Sequence, residues 1–217
     1  MDIVENTIVF VKSTLSGAEG GHDWWHIHRV FQNTCTIAEK ENADMHICKL
    51  GALLHDIADP KFHDGDEKKG CLIAEEFLKQ IFVPVKQIDA VLDIIQNISF
   101  SKSNDDNIFK SLELQVVQDA DRLDAMGAIG IARAFNYGGY KNRLIYDPSI
   151  PPKTYSNRGE YRNSNSPTIN HFYEKLLLLK DLMNTQTGKA MARKRHEYML
   201  GFLDKFYEEW KGGEVTE

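Results

Sequence analysis

Cysteine is scarce in this sequence and badly placed for cross-linking. The three thiols, Cys35, Cys48 and Cys71, are odd in number and contain no Cys-x-x-Cys pair, which argues against a disulfide framework and against a closed thiolate zinc site. They read as buried thiols on helices in a reducing cytosol. No stretch approaches the ~18 uninterrupted apolar residues of a membrane-spanning helix, and the opening Met1-Asp2-Ile3-Val4-Glu5 carries acids where a secretion signal carries bases. A soluble, cytoplasmic protein is expected, with no membrane partner. Positive charge is also short: 26 bases against 32 acids leave −6, so the surface as a whole is not expected to hold a nucleic-acid backbone. Internal repeats are lacking, as is any run with the apolar/polar alternation of a half-buried strand. Hydrophobic residues at 42% and charged residues at 27% exclude disorder and coiled coil. The 217 residues suit one helical domain with elaborations.

What the sequence does contain is helical periodicity. Ile3, Val4, Ile8, Val9, Val11 and Leu15 share one stripe, and Ser16-Gly17 supplies a stop. Asp23 is placed as N-cap for a helix through Trp24, Val30, Phe31 and Ile37 to about Asn42, and Asp44 opens another through Leu50, Leu53 and Leu54 toward Ala58. Asp59-Pro60 must leave the helix, because proline lacks a donor and disfavours α geometry in the residue before it. Helical runs follow over 67–82 and 84–98, with Pro84 as the first helical residue of the second. Residues 111–135 read as one long helix with Asp119, Asp121 and Asp124 at its centre. Composition then changes. Residues 136–166 include Gly138, Gly139, Pro148, Pro151, Pro152 and Gly159, which predicts a long lid-like loop without regular structure. It is locally basic, with Lys141, Arg143, Lys153, Arg158 and Arg162 against Asp147 and Glu160. Ser166-Pro167 makes an N-cap and first-turn pair for a helix through Phe172 and Leu179, and a last helix runs from about Thr187 to Trp210. The expected fold is all-α: a helical core over 1–135, the lid loop over 136–166 and C-terminal helices over 167–217 packed on the core, a single domain overall.

The chemistry resides in His26, the pair His55-Asp56, and Asp121. Adjacent residues on a helix diverge by about 100°, so one metal takes both His55 and Asp56 only if it sits between their directions. Three segments would each turn a ligand to one point. Two imidazoles and two carboxylates form a mixed N/O set suited to Mn²⁺, Fe²⁺, Co²⁺ or Ni²⁺. Plainer roles stay open: His26 beside Trp24 and Trp25 could be a packed helix-face histidine, and Asp119 or Asp124 could only pair Arg122 or cap a neighbouring helix. Asp56 near a helix C-terminus opposes the macrodipole and needs a cation.

His26, then His55-Asp56, then Asp121 resembles the H…HD…D order of the HD-domain metal-dependent phosphohydrolases. The flanking stretches His22-Asp23-Trp24-Trp25-His26-Ile27-His28-Arg29-Val30, His55-Asp56-Ile57-Ala58-Asp59, Gln118-Asp119-Ala120-Asp121-Arg122-Leu123-Asp124-Ala125 and Asn170-His171-Phe172-Tyr173-Glu174-Lys175-Leu176 look like the bacterial YedJ/YpgQ-type subgroup, and the likeness covers nearly the whole chain. The resemblance implies an HD-domain helical core and hydrolysis of phosphate esters or anhydrides, mostly in nucleotides. One divalent metal (Mn, Co, Ni, Fe or Mg) is expected, since His63 is the single further histidine available for a second site. Asp59 is the acid expected to serve the reacting water; His63 and Arg122 are further catalytic candidates. His22, Lys61, Tyr137, Arg143, Lys153 and Arg158 are the substrate-contact candidates. A nucleotide is the expected partner, and a homodimer is compatible with everything above. Pyrophosphate release from a nucleoside triphosphate is the expected reaction; a 5′-nucleotidase or a non-catalytic nucleotide-binding module are the alternatives.

Overall fold

The computed structural model describes residues 2–16, 23–57, 69–98, 110–155 and 165–213. These form α1 (Ile3–Thr14), α2 (Trp24–Glu41), α3 (Met45–Leu54), α4 (Lys69–Gln80), α5 (Val85–Asn97), α6 (Leu112–Asp124), α7 (Gly127–Tyr140), α8 (Thr168–Glu174), a 3-10 segment (Leu176–Leu182) and α9 (Gln186–Trp210). The fold is all-α, and the described residues contain no strand. None of the described helices is long and apolar enough to cross a membrane.

Two compact units divide the chain: Met1–Asp121 with Asn184–Gly188, and Arg122–Met183 with Lys189–Glu217. In the first, α3 packs against α1, α2 and α5, and α4 packs against α5. Leu50, Leu53 and Leu54 of α3 are buried together with Val11, Ile27, Phe77, Leu78 and Val91. A Cβ on Gly51 would stand 2.8 Å from Ile94 Cδ1, so glycine is what lets α3 and α5 approach. Capping sets where the site-bearing helices begin. Asp23 accepts the His26 N–H at 2.9 Å and so opens α2, and Asp44 accepts from His46 and Ile47 at 2.9 and 3.1 Å to open α3; each cap contributes about 1 kcal/mol. Asn42 closes α2 in the left-handed region, φ 56°. In the second unit, Phe172 of α8 lies 6.1 Å from Phe135 of α7 and 5.8 Å from Phe202 of α9, ring centre to ring centre.

Several expected boundaries shift. Residues 111–135 are two helices: Ala125 and Met126 tighten into turns on Arg122 and Leu123, Gly127 takes φ +69°, and a Cβ on Gly130 would strike the Ala125 carbonyl. The second of these helices continues to Tyr140, so residues 136–140 belong to α7 and not to a loop. Gly138 is there for close packing, since a Cβ would collide with Thr168 Oγ1, and a glycine used this way does not end a helix. α3 ends at Leu54, with residues 55–57 in a turn. Pro84 precedes the first helical residue of α5 instead of being it. Pro167 stands before α8 in the same way, while the Ser166 hydroxyl bonds that of Tyr155 at 2.9 Å in place of capping. The helix after it stops at Glu174, and a 3-10 segment carries Leu176 and Leu179 into the interior. Cys48 is buried as expected, its thiol pushed up to about 12 chiefly by desolvation, but Cys35 and Cys71 are half-buried.

Candidate metal centre

His26 sits in the first turn of α2, its place fixed by the Asp23 cap. His55 follows α3 directly. Its Nδ1 lies 2.9 Å from the Ala52 carbonyl oxygen, and because that oxygen can only accept, Nδ1 is the protonated nitrogen. This bond satisfies a carbonyl at the helix end and leaves Nε2 with a lone pair. His55 Nε2 is buried and has no hydrogen-bond partner among the described residues. Buried polar atoms are rarely left so, and each asks for an explanation.

The surroundings of that nitrogen give one. One ligand atom from each of His26, His55 and Asp56 can be chosen so that all three lie within 4.8 Å of one another. The two rings stand 5.4 Å apart at 66°. Asp121 of α6 reaches the same point: its Oδ1 is 3.5 Å from His26 Nε2 and 4.0 Å from His55 Nε2, and Asp56 Oδ2 is 4.0 Å from His26 Nε2. These separations are long for hydrogen bonds. They match donors sharing one ion, which at bond lengths of ~2.1 Å lie ~3 Å apart at right angles and ~4.2 Å apart when opposite. Both imidazoles are nearly covered, whereas the Asp121 side chain is 39% exposed, so the cluster has a solvent-facing side as a catalytic site requires.

The two rival acids of α6 have other partners. Asp124 pairs with Arg133, and Asp119 is tied to the start of α9. Arg122 is buried and donates to the Leu182 carbonyl at 2.5 Å, so part of its donor fork is already used by backbone. In the second unit, the Arg143 guanidinium stands 5.6 Å over the Tyr137 ring. The Lys153 N–H donates to Glu174 at 3.1 Å. Near Arg143 lie Lys175 and His171; burial first, then these two cations, push the His171 imidazole down to about 3. No sequence motif joins Lys175 to Arg143, which lies 32 residues before it. His22, Asp59, Lys61, His63 and Arg158 lie outside the described residues.

The HD domain family model matches residues 24–126, which include all four clustered side chains. The Bacillus subtilis protein YpgQ is 37% identical over 204 residues, spanning 92% of this chain and 89% of its own. An HD-superfamily hydrolase from Bacillus thuringiensis superposes with a TM-score of 0.78 at 44% identity, over 96% of both chains. The chain belongs to the HD superfamily of metal-dependent phosphohydrolases. A crystal structure of B. subtilis YpgQ in complex with ADP is similar too, with a TM-score of 0.76 and 35% identity over 95% of this chain and 94% of that one.

Proposed function

We propose that this enzyme is a nucleoside triphosphate pyrophosphohydrolase. The buried, unpartnered His55 Nε2 within reach of Asp121 carries the reading, because the set formed with His26 and Asp56 suits one divalent ion of the Mn, Co, Ni, Fe or Mg class. When bound there, such an ion acidifies water and polarises a phosphoryl oxygen. The side chains do the rest. His55, its tautomer fixed by Ala52, presents Nε2, and Asp56 and Asp121 supply the negative charge that a dication needs. Asp59, three residues after Asp56, accepts the proton of the attacking water as it adds to the α-phosphorus and the bond to pyrophosphate breaks. Arg122 and His63 are assigned to the developing phosphate charge.

Recognition of a nucleotide is supported by the ADP complex of YpgQ. In the reading proposed here, Arg143, Lys153, Arg158, Lys61 and His22 meet phosphates and Tyr137, 43% exposed, offers a ring face to a base. The segment 141–166 is then the lid. A cytoplasmic location, a homodimer, and the nucleotide as partner in place of nucleic acid or membrane belong to the same proposal. The test is hydrolysis of a panel of nucleoside mono- and triphosphates with Mn²⁺, Co²⁺, Ni²⁺ or Mg²⁺, scored for both pyrophosphate and orthophosphate. Pyrophosphate from triphosphates is the expected product; orthophosphate from 5′-monophosphates alone would replace this reading with a nucleotidase.

A further inference from the structure

The metal site uses Asp121 and leaves unexplained the carboxylate two residues earlier. Asp119 is fully buried, and burying a carboxylate is costly unless its oxygens are satisfied. One short segment does this. Asp119 Oδ1 accepts the Asn184 backbone N–H at 2.8 Å and its side-chain amide at 3.0 Å; Oδ2 accepts the Thr185 N–H and hydroxyl, both at 2.8 Å. The Thr185 oxygen in turn accepts the Gly188 N–H at 2.9 Å, capping α9. The fit leaves no slack, since a Cβ on Gly188 would collide with Asp119 Oδ2. Two neighbouring bonds tighten the same seam: Gln118 Oε1 accepts from Asn184 Nδ2 at 3.1 Å, and Glu41 Oε1 accepts the Thr187 N–H at 2.6 Å.

Residues two apart on a helix point about 200° away from one another. Asp119 therefore faces away from the cluster that Asp121 faces, and acts on it through the backbone of α6. A second tie fixes that backbone from the histidine side. Asn33 Nδ2 donates to the Ala120 carbonyl at 3.4 Å, and Asn33 follows His26 by seven residues, two turns along the same face of α2. We propose that Asp119 is a positioning residue for the metal centre: by locking residues 184–188 onto α6 it fixes the rotation of that helix, and with it the direction in which Asp121 meets His26 and His55. This rests on the reading that His26, His55, Asp56 and Asp121 hold the ion.

A purely structural Asp119 would lower the melting temperature and leave metal binding by the folded protein unchanged. A positioning residue alters binding as well. The full-length apo protein is titrated with Co²⁺ well below its melting temperature, following the dissociation constant and the visible absorption of the bound ion, for wild type, Asp119→Asn, Thr185→Ala and Asp121→Ala. Asp119→Asn is expected to weaken Co²⁺ binding ~10–100-fold, the range that outer hydrogen-bond partners of ligands contribute, and to shift the visible bands. Thr185→Ala keeps Asp119 but removes one of its donors, and should weaken binding about fivefold, the scale of a single hydrogen bond. A wild-type dissociation constant and spectrum in folded Asp119→Asn, or in Thr185→Ala should the first variant not fold, would overturn the proposal. Wild-type Co²⁺ affinity in Asp121→Ala would instead reject the metal assignment on which it rests.

Discussion

His26 and His55 in the first unit are buried imidazoles met by carboxylates, with Asp121 3.5 and 4.0 Å from their Nε2 atoms. His171 in the second unit is a half-buried imidazole met by cations, Lys175 and Arg143, which together with desolvation hold it neutral far below its ordinary range. The first two are buried and the third half-buried, but the larger difference is the company. A covered histidine facing acids has a lone pair and negative charge aimed at one point, which is what a cation requires. A half-buried histidine facing bases sits in a field that favours an anion outside the ring. The neighbours decide the role.

The sharpest way to break this contrast is to remove an acid from the first histidine pair. Asp56→Ala leaves three ligands and one fewer negative charge, so bound metal should fall from about one ion per chain to well below that, and hydrolysis should fall at least ~10³-fold. Elemental analysis of purified protein decides it; unchanged metal content would remove Asp56 from the coordination set. A smaller effect is expected at Asp59. Asp59→Asn should keep the metal while lowering turnover by ~10²-fold, as when a positioned acid–base group is lost. Turnover near wild type with metal retained would show that Asp59 does not serve the water.

The first unit was largely legible in the sequence because its signals are local. Asp23 and Asp44 sit where caps sit, and both cap. Apolar residues recur at helical spacing, and α1 to α5 appear within a few residues of where that spacing puts them. The four clustered side chains were legible through a pattern of residue types, which spacing alone could not have drawn together. What escaped is tertiary. Gly138 looks like a breaker and is a close-packing residue on Thr168, and the turn at Ala125–Met126 depends on what Gly130 touches. The role of Asp119 was open between pairing Arg122 and capping a helix; only the fold brings it to Thr185, 66 residues away.

The cationic neighbourhood of the second unit gives a more modest prediction. Replacing Arg143, Lys153 and Arg158 together by alanine should raise KM for a nucleoside triphosphate about tenfold and leave metal content unchanged, since single cation contacts each contribute little and act on binding before rate. Steady-state kinetics on the triple variant checks this. An unaltered KM would leave these bases as solvated surface charge and confine the enzyme's affinity for phosphate to the first unit.

The weakest effect at neutral pH, and the one that tests the contrast most directly, concerns His171. Its folded-state pKa is lowered from 6.5 to about 3, by burial first and then by Lys175 and Arg143. Between those values the unfolded chain binds a proton at this ring that the folded chain does not. Stability from this residue is thus fully present above about pH 6.5 and is lost progressively as pH falls toward 3. His171→Gln cannot take up that proton in either state. Urea unfolding at pH 7, 6, 5 and 4 should show wild type losing up to about 1.4 kcal/mol per pH unit more than the variant through this window, with the gap closing above pH 7. Taking the difference between the two proteins cancels every group they share. Parallel pH dependences would mean that His171 protonates in the folded protein without penalty, and the opposition between the two histidine environments would collapse.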